Sequence, residues 1–91
     1  MIFEWDPKKA KQNLVKHGVS FEEATTAFFD TLSVTTEDPL HSEDEDRAVI
    51  VGLSMNKRLL IVVHVARGDR IRIISARRAT RYERKNYEKG F

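Results

Sequence analysis

Arginine side chains concentrate near the end of the chain, in the segment Arg70–Tyr87. A guanidinium group stays charged at physiological pH and presents its N–H donors in a planar fork, so it suits bidentate contacts with phosphate. The segment holds six arginines: Arg70, Arg72, Arg77, Arg78, Arg81 and Arg84. We interpret it as a surface that binds a polyanion. The alternative is a solvated strand face followed by a helix with ordinary charge pairs.

The first part of this segment has the pattern of a β-strand. Ile71 and Ile73 alternate with Arg70 and Arg72, so that isoleucines are expected on one face and guanidiniums on the other. This alternation predicts a strand over Arg70–Ser75. Its exposed face would carry positive charge.

The second part has the pattern of a helix start. Thr80 precedes Glu83 by three residues, a capping box in which each side chain satisfies a free backbone N–H group. The pattern predicts a helix over Arg81–Lys89. Arg77 and Arg78 are then expected at the junction, so the predicted phosphate-binding surface is a strand-to-helix corner.

Other side chains are candidates for the same site. Tyr82 could stack on a base, although a tyrosine on a short helix often packs at the rim of a core. His64 is expected to lie near Arg70 or Arg72 across the turn Arg67–Asp69, and an imidazole there would suit acid–base chemistry, although it could equally be structural. The first helix adds a basic cluster that could extend the phosphate track or be a solvated helix face: Lys8, Lys9, Lys16 and His17.

Length and composition exclude several classes of protein. The 91 residues are expected to form one domain, with 41% hydrophobic and 33% charged residues. No apolar run is long enough to span a bilayer, and the first residues do not resemble an export signal, so we expect a cytoplasmic protein. The chain has no cysteine, no phosphate-binding glycine loop and no histidine spacing typical of a metal site, so neither a metal nor another cofactor is expected.

Charge is divided unequally along the chain. Residues 1–56 carry five Lys/Arg and eleven Asp/Glu, a balance of −6, whereas residues 57–91 carry eleven and three, a balance of +8. The acidic run Glu43–Asp46 is interpreted as a solvated loop. The sequence therefore predicts that any polyanion binds through the second part of the chain.

The remaining elements follow from local patterns. Asp6-Pro7 and Gly18 predict the start and end of a helix, and Ser20 with Glu23 predicts a second capping box. The expected helices are Pro7–His17, Phe21–Phe29 and Arg81–Lys89, and the expected strands are Met1–Trp5, Leu32–Glu37, Ala48–Leu53, Leu59–Val65 and Arg70–Ser75. The order β-α-α-β-β-β-β-α predicts an α+β fold in which a helical hairpin packs on a mainly antiparallel sheet. The fully apolar run Leu59–Val63 predicts a central strand.

Two long motifs resemble those of a known family. The first is Phe3-Glu4-Trp5-Asp6-Pro7 with Lys9-Ala10, Asn13 and the run from Lys16 to Ala24; the second is Ile71–Arg77 with Glu83-Arg84 and Tyr87-Glu88. Together they resemble the BrnT toxins over nearly the whole chain. The resemblance implies a RelE-like fold and a ribonuclease toxin of a type II toxin–antitoxin pair. It also implies a BrnA-like antitoxin partner whose ribbon-helix-helix region binds operator DNA.

The resemblance also implies roles for individual residues. RelE-like nucleases promote attack of the ribose 2′-OH on the adjacent phosphate without a metal, and the catalytic candidates here are Arg72, Arg77, Arg78, His64 and Glu83. The candidate RNA contacts are Arg70, Arg81, Tyr82, Lys9, Lys16 and His17. Such an enzyme would cleave RNA and inhibit translation and growth. A domain that binds nucleic acid or protein through the same basic face, without catalysis, is the alternative.

Overall fold

The computed structural model describes residues 1–38 and 47–90. The helices are α1 (Pro7–His17), α2 (Phe21–Thr26) and α3 (Arg81–Lys89), with a short 3₁₀ helix at Ala27–Phe29. The strands are β1 (Ile2–Glu4), β2 (Val34–Glu37), β3 (Arg47–Leu53), β4 (Leu59–Arg67) and β5 (Arg70–Arg78).

The predicted order of elements and the α+β class are confirmed. The predicted acidic loop Glu43–Asp46 lies outside the described residues. Within them, no helix has the length and apolar character needed to cross a bilayer.

The five strands form one sheet in the order β1-β5-β4-β3-β2. Only the β1–β5 pair is parallel, so the prediction of a mainly antiparallel sheet is confirmed. β4 is the central strand, as its apolar run predicted. Leu60 and Val62 are fully buried on one face of β4, and Leu59 and Ile61 are nearly as buried on the other.

α1 begins and ends at the predicted residues. The Asp6 carboxylate accepts a hydrogen bond from the backbone N–H of Lys8 at 2.9 Å, and Pro7 occupies the first helical position. Gly18 ends the helix in the left-handed conformation with φ 68°, which a residue with a Cβ adopts at a cost. These local signals fix the helix that borders the site described below.

α2 is shorter than predicted and its capping box is only half formed. Ser20 Oγ accepts from the backbone N–H of Glu23 at 3.0 Å, but the Glu23 carboxylate does not return to Ser20. It accepts instead from Ser54 Oγ at 2.7 Å and forms an ion pair with Arg58. Glu23 is only 6% exposed, and charge-assisted bonds to a guanidinium stabilise a buried carboxylate better than one backbone N–H does.

The helical hairpin of α1 and α2 packs on one face of the sheet. The buried residues of this core are Val19, Phe21, Ala24 and Ala27 from the hairpin region, and Ile50, Leu60, Val62, Ile73 and Ala76 from the strands. Trp5 covers the core edge-on to Phe21, with ring centroids 5.9 Å apart. Gly52 allows the closest approach, because a Cβ there would lie 2.5 Å from the carbonyl oxygen of Ala27. The opposite face of the sheet carries the buried Leu59 and Ile61, and also the arginines described below.

Candidate functional site

A transverse row of four side chains crosses the sheet face opposite the helical hairpin. Arg47 pairs with Val65, Val65 pairs with Arg72, and Arg72 pairs with Glu4. Residues directly opposite each other in neighbouring strands share a face of the sheet. His64 points to the hairpin side, where its ring contacts an aromatic side chain, so the adjacent Val65 and its row point the other way. The register therefore gathers two arginines and one carboxylate on the open face.

This row lines a cavity of about 450 Å³. Its lining residues are Glu4, Lys9, Arg47, Val65, Arg67, Arg70, Arg72 and Ile74. Arg70 Nη1 lies 3.1 Å from Glu4 Oε1, and Arg72 Nη1 lies 3.5 Å from Glu4 Oε2. The two guanidiniums share one carboxylate, and their side chains remain 59% and 49% exposed, so both keep donors for a bound anion.

Two further arginines strengthen the positive charge of this cavity. Arg67 and Arg70 are directly opposite each other at the β4–β5 turn, and both line the cavity. The Nε atom of Arg47 is buried and has no hydrogen-bond partner among the described residues. A buried donor without an acceptor is costly.

A second cavity, of about 260 Å³, adjoins the first along α1. Lys9, Lys16 and His17 line it on the helix side, and Ile74 and Ser75 line it on the strand side. Lys9 and Ile74 belong to both cavities. We call the two cavities together the basic groove. The structure thus brings the predicted Lys9, Lys16 and His17 alongside the strand that carries Arg70 and Arg72.

Asn13 holds α1 against this strand. β1 pairs only with the residues of β5 from Arg70 to Arg72, so the edge of β5 beyond them has no strand partner in the described sheet. There the Asn13 amide donates to the carbonyl oxygen of Ala76 and accepts from its N–H. A side chain therefore completes the pairing of the strand edge and fixes one wall of the basic groove.

A β-bulge in β5 decides which arginines share a face. His64 pairs with Ile73 and Val63 pairs with Ser75, which leaves Ile74 as an extra residue. Ile73 and Ala76 both point into the core although they are three residues apart, so the alternation reverses at the bulge. As a consequence, Arg77 shares the open face with Arg72. Arg78 has the opposite orientation, toward the hairpin side.

The predicted strand-to-helix corner is therefore not a single open surface. Arg77 forms a bidentate ion pair with Glu83, with both N–O distances 2.8 Å. The hydrogen bonds from Arg77 lower the pKa of Glu83 from 4.5 to about 2, and the same pair raises the pKa of Arg77. Three other candidates, Arg78, Arg81 and Tyr82, are exposed but do not line the basic groove. Of the arginines of β5, those that line the basic groove, Arg70 and Arg72, lie at the start of the strand rather than at its end.

His64 lies apart from the arginines. Its side chain is 4% exposed on the hairpin side, and its ring centroid is 4.8 Å from that of Phe28. Burial lowers the pKa of His64, and its Nδ1 atom lies 3.2 Å from the carbonyl oxygen of Val62. The β4–β5 turn does place it beside Arg72 along the sheet, but alternation directs the two side chains to opposite faces. The structure does not bring the predicted acid–base histidine into the basic groove.

Sequence reasoning missed Glu4 and Arg47. Glu4 stands in the first motif, but nothing local indicates that β1 pairs in parallel with the last strand of the sheet. Arg47 precedes the predicted start of β3, and only the register shows that it reaches Val65. Both residues join the site through pairing between segments distant in sequence, so only the strand order could have revealed them.

A family model and a solved structure match this chain. A family model described as "Ribonuclease toxin, BrnT, of type II toxin-antitoxin system" matches residues 5–83. A search of the curated proteins gave no match. The fold is similar to the 1.1 Å crystal structure of the Brucella abortus ribonuclease toxin BrnT, with a TM-score of 0.69 and 20% sequence identity. That alignment covers 89% of this chain and 100% of the Brucella chain.

Proposed function

The chain belongs to the BrnT family of ribonuclease toxins of type II toxin–antitoxin systems, and we propose that it cleaves RNA bound in the basic groove. The observation that carries this proposal is the cross-sheet row Arg47-Val65-Arg72-Glu4. It offers guanidinium donors on an open face, beside a lysine and a histidine from α1. Such a surface suits a flexible polyanion whose successive phosphates follow the groove.

The proposed reaction is metal-independent. Attack of the ribose 2′-oxygen on the adjacent phosphorus produces a phosphorane whose charge exceeds that of the bound phosphate. Arg72 lies at the centre of the row and Arg70 beside it, so preorganised donors from both would stabilise the added charge.

The other candidates take secondary roles in this proposal. Arg77 shares the open face, but Glu83 already occupies both arms of its guanidinium, so this pair holds α3 and presents a weaker site for a flanking phosphate. Arg78, Arg81 and Tyr82 lie outside the groove and would contact only RNA that extends beyond it. Lys9, Lys16 and His17 extend the phosphate track. Of the two histidines that the structure describes, His17 lines the basic groove and is available to RNA, whereas His64 is buried.

Membership of this family suggests the biological role of the protein. We propose that RNA cleavage inhibits translation and growth in the cytoplasm, and that a BrnA-like antitoxin with a ribbon-helix-helix region neutralises the protein. Operator DNA would be bound only through that antitoxin. The relation to RelE is likewise a proposal, supported by a mainly antiparallel sheet with a helical hairpin on one face and arginines on the other.

The test is cleavage of RNA by the purified protein in the presence of EDTA. We expect fragments that carry 2′,3′-cyclic phosphate and 5′-hydroxyl ends, with and without ribosomes compared in parallel. Cleavage only after addition of Mg²⁺ would overturn the metal-independent reaction. Salt-dependent RNA binding without any cleavage in either condition would favour a non-catalytic nucleic-acid-binding domain instead.

A further inference from the structure

We infer that Glu4 is the general base of the reaction, an inference that rests on the proposed ribonuclease function. Among the residues that the structure describes, Glu4 is the one carboxylate that lines the larger cavity. Its register partner is Arg72, the central arginine of the row. Any phosphate held by Arg70 and Arg72 would therefore lie next to this carboxylate, together with the ribose attached to that phosphate.

The contacts of Glu4 leave it free to accept a proton. Each carboxylate oxygen contacts a single arginine, at 3.1 Å for Arg70 and 3.5 Å for Arg72, and the side chain remains 38% exposed. An ionised carboxylate has about four acceptor positions, so these two contacts leave room for a ribose hydroxyl. The arginines also fix the carboxylate in place, which a base needs if it is to meet its substrate in one geometry.

Glu4 differs in this respect from two carboxylates that hold elements of the fold together, Glu23 and Glu83. Glu23 is buried and is occupied by Arg58 and Ser54, so it holds elements of the fold together. Glu83 meets Arg77 with both oxygens and also accepts from the backbone of Thr80. Glu23 and Glu83 therefore have their acceptor positions occupied, whereas Glu4, held by one contact to each oxygen, keeps acceptor positions open at the wall of the cavity.

The proposed step balances without a metal. The proton of the ribose 2′-OH passes to a Glu4 oxygen while the 2′-oxygen forms its bond to phosphorus. The bond between phosphorus and the 5′-oxygen then breaks, and the departing oxygen takes a proton from water. The resulting hydroxide recovers the proton from Glu4, so the carboxylate is regenerated and the products are a 2′,3′-cyclic phosphate and a 5′-hydroxyl.

The variant Glu4→Gln distinguishes two possible roles of Glu4, general base and counter-ion of the arginines. The amide oxygen still accepts from an arginine, but it cannot take the proton, so single-turnover cleavage is expected to fall by roughly 10²–10⁴-fold. RNA affinity should be unchanged or tighter, because a negative charge has been removed from the groove. The acid limb of the pH–rate profile should also disappear. If Glu4 is only a counter-ion, Glu4→Gln will cleave as fast as the wild type or faster, and the inference is overturned.

Two further variants show whether a loss of activity in Glu4→Gln comes from the missing base or from damage to the fold. Glu37→Gln is the matched control: it removes the same charge from the edge strand at the other side of the sheet, and it should cleave as the wild type does. Glu4→Asp keeps a carboxylate but withdraws it by one methylene. Its pH–rate profile should keep the acid limb, and its rate should be at least about tenfold lower, since catalysis depends on close positioning. A wild-type rate for Glu4→Asp would contradict the base role.

A wild-type protein that does not cleave RNA overturns the proposed function, whereas a cleaving wild type with an equally active Glu4→Gln overturns only this inference.

Discussion

The side chain of Asn13 pairs with the backbone of Ala76 as a neighbouring strand would. Its Nδ2 atom donates to the Ala76 carbonyl oxygen at 2.8 Å, and its Oδ1 atom accepts from the Ala76 N–H at 3.1 Å. The same Nδ2 donates to the carbonyl oxygen of Val19 at 2.9 Å. One buried amide therefore joins α1, the turn between the two helices and the free part of the β5 edge.

Replacement of Asn13 should destabilise the protein strongly. Asn13→Ala leaves buried backbone groups of Ala76 and Val19 without partners, so we expect the free energy of unfolding to fall by about 2–4 kcal/mol. Denaturant unfolding followed by circular dichroism measures the change. The neighbouring exposed Gln12→Ala provides the control and should cost less than about 0.5 kcal/mol. A loss for Asn13→Ala no larger than that of the control would contradict this role.

The Arg77–Glu83 pair should make stability depend on pH in the acidic range. The pKa of Glu83 is 4.5 when unperturbed and about 2 in the folded protein, with the bonds from Arg77 as the main cause. The pair's contribution is therefore fully present above pH 4.5 and is lost as the pH falls toward 2. Because Arg77 is 41% exposed and solvent screens the pair, we expect a contribution of only about 1–2 kcal/mol.

Glu83→Gln tests this prediction. The variant should be less stable than the wild type at neutral pH, and the difference should shrink as the pH falls from 4.5 to 2. Thermal unfolding across that range gives both curves. Glu88→Gln in the same helix is the control, since its oxygen lies 4.0 Å from Arg84 and both side chains are well exposed. A stability difference between wild type and Glu83→Gln that is constant over the range would refute the linkage.

The hydrogen bond from the Tyr87 hydroxyl to the Asp30 carboxylate tethers α3 to the turn before β2. Tyr87→Phe removes the donor, while Asp30 still accepts from the N–H groups of Leu32 and Leu53. We expect a loss of about 1–2 kcal/mol in the free energy of unfolding. Tyr82→Phe, on a side chain that is 73% exposed, is the matched control and should be neutral.

The same tether should weaken at alkaline pH. Burial and the hydrogen bond to Asp30 raise the pKa of Tyr87 from 10.0 to about 12. Its contribution to stability is thus fully present below pH 10 and is lost as the pH rises toward 12. Ultraviolet titration of tyrosinate should show one late-titrating group in the wild type that is missing from Tyr87→Phe. Two tyrosines that titrate together near pH 10 would contradict the tether.

Local signals predicted most of the elements of this fold. Asp6-Pro7 and Gly18 bound α1 because a cap satisfies backbone groups within a few residues of itself. Thr80 and Glu83 form the predicted capping box at α3 for the same reason. Ser20 and Glu23 have the same spacing, but the box is incomplete because Arg58, distant in sequence, binds the glutamate. At this capping box a tertiary contact overrides the local sequence pattern.

The site was harder to predict because strand pairing defines it. The bulge at Ile74 reverses the alternation of β5, and a run of isoleucines gives no sign of it. Without the bulge, Arg72 and Arg77 would lie on opposite faces. The position of Glu4 beside Arg72 depends on a parallel pairing between the first and last strands. The arginine-rich segment was recognisable in the sequence, but its division into an open groove and an internal ion pair was not.

RNA phosphate is expected to bind at the start of β5 and not at the strand-to-helix corner. Single-turnover RNA cleavage in EDTA by Arg72→Ala and Arg78→Ala distinguishes the two positions, with the exposed Arg84→Ala as control and circular dichroism to confirm folding. We predict that Arg72→Ala lowers the rate by at least about 100-fold, and Arg78→Ala by no more than about threefold. A larger loss for Arg78→Ala than for Arg72→Ala would place the RNA site at the strand-to-helix corner and overturn the proposed site in the basic groove.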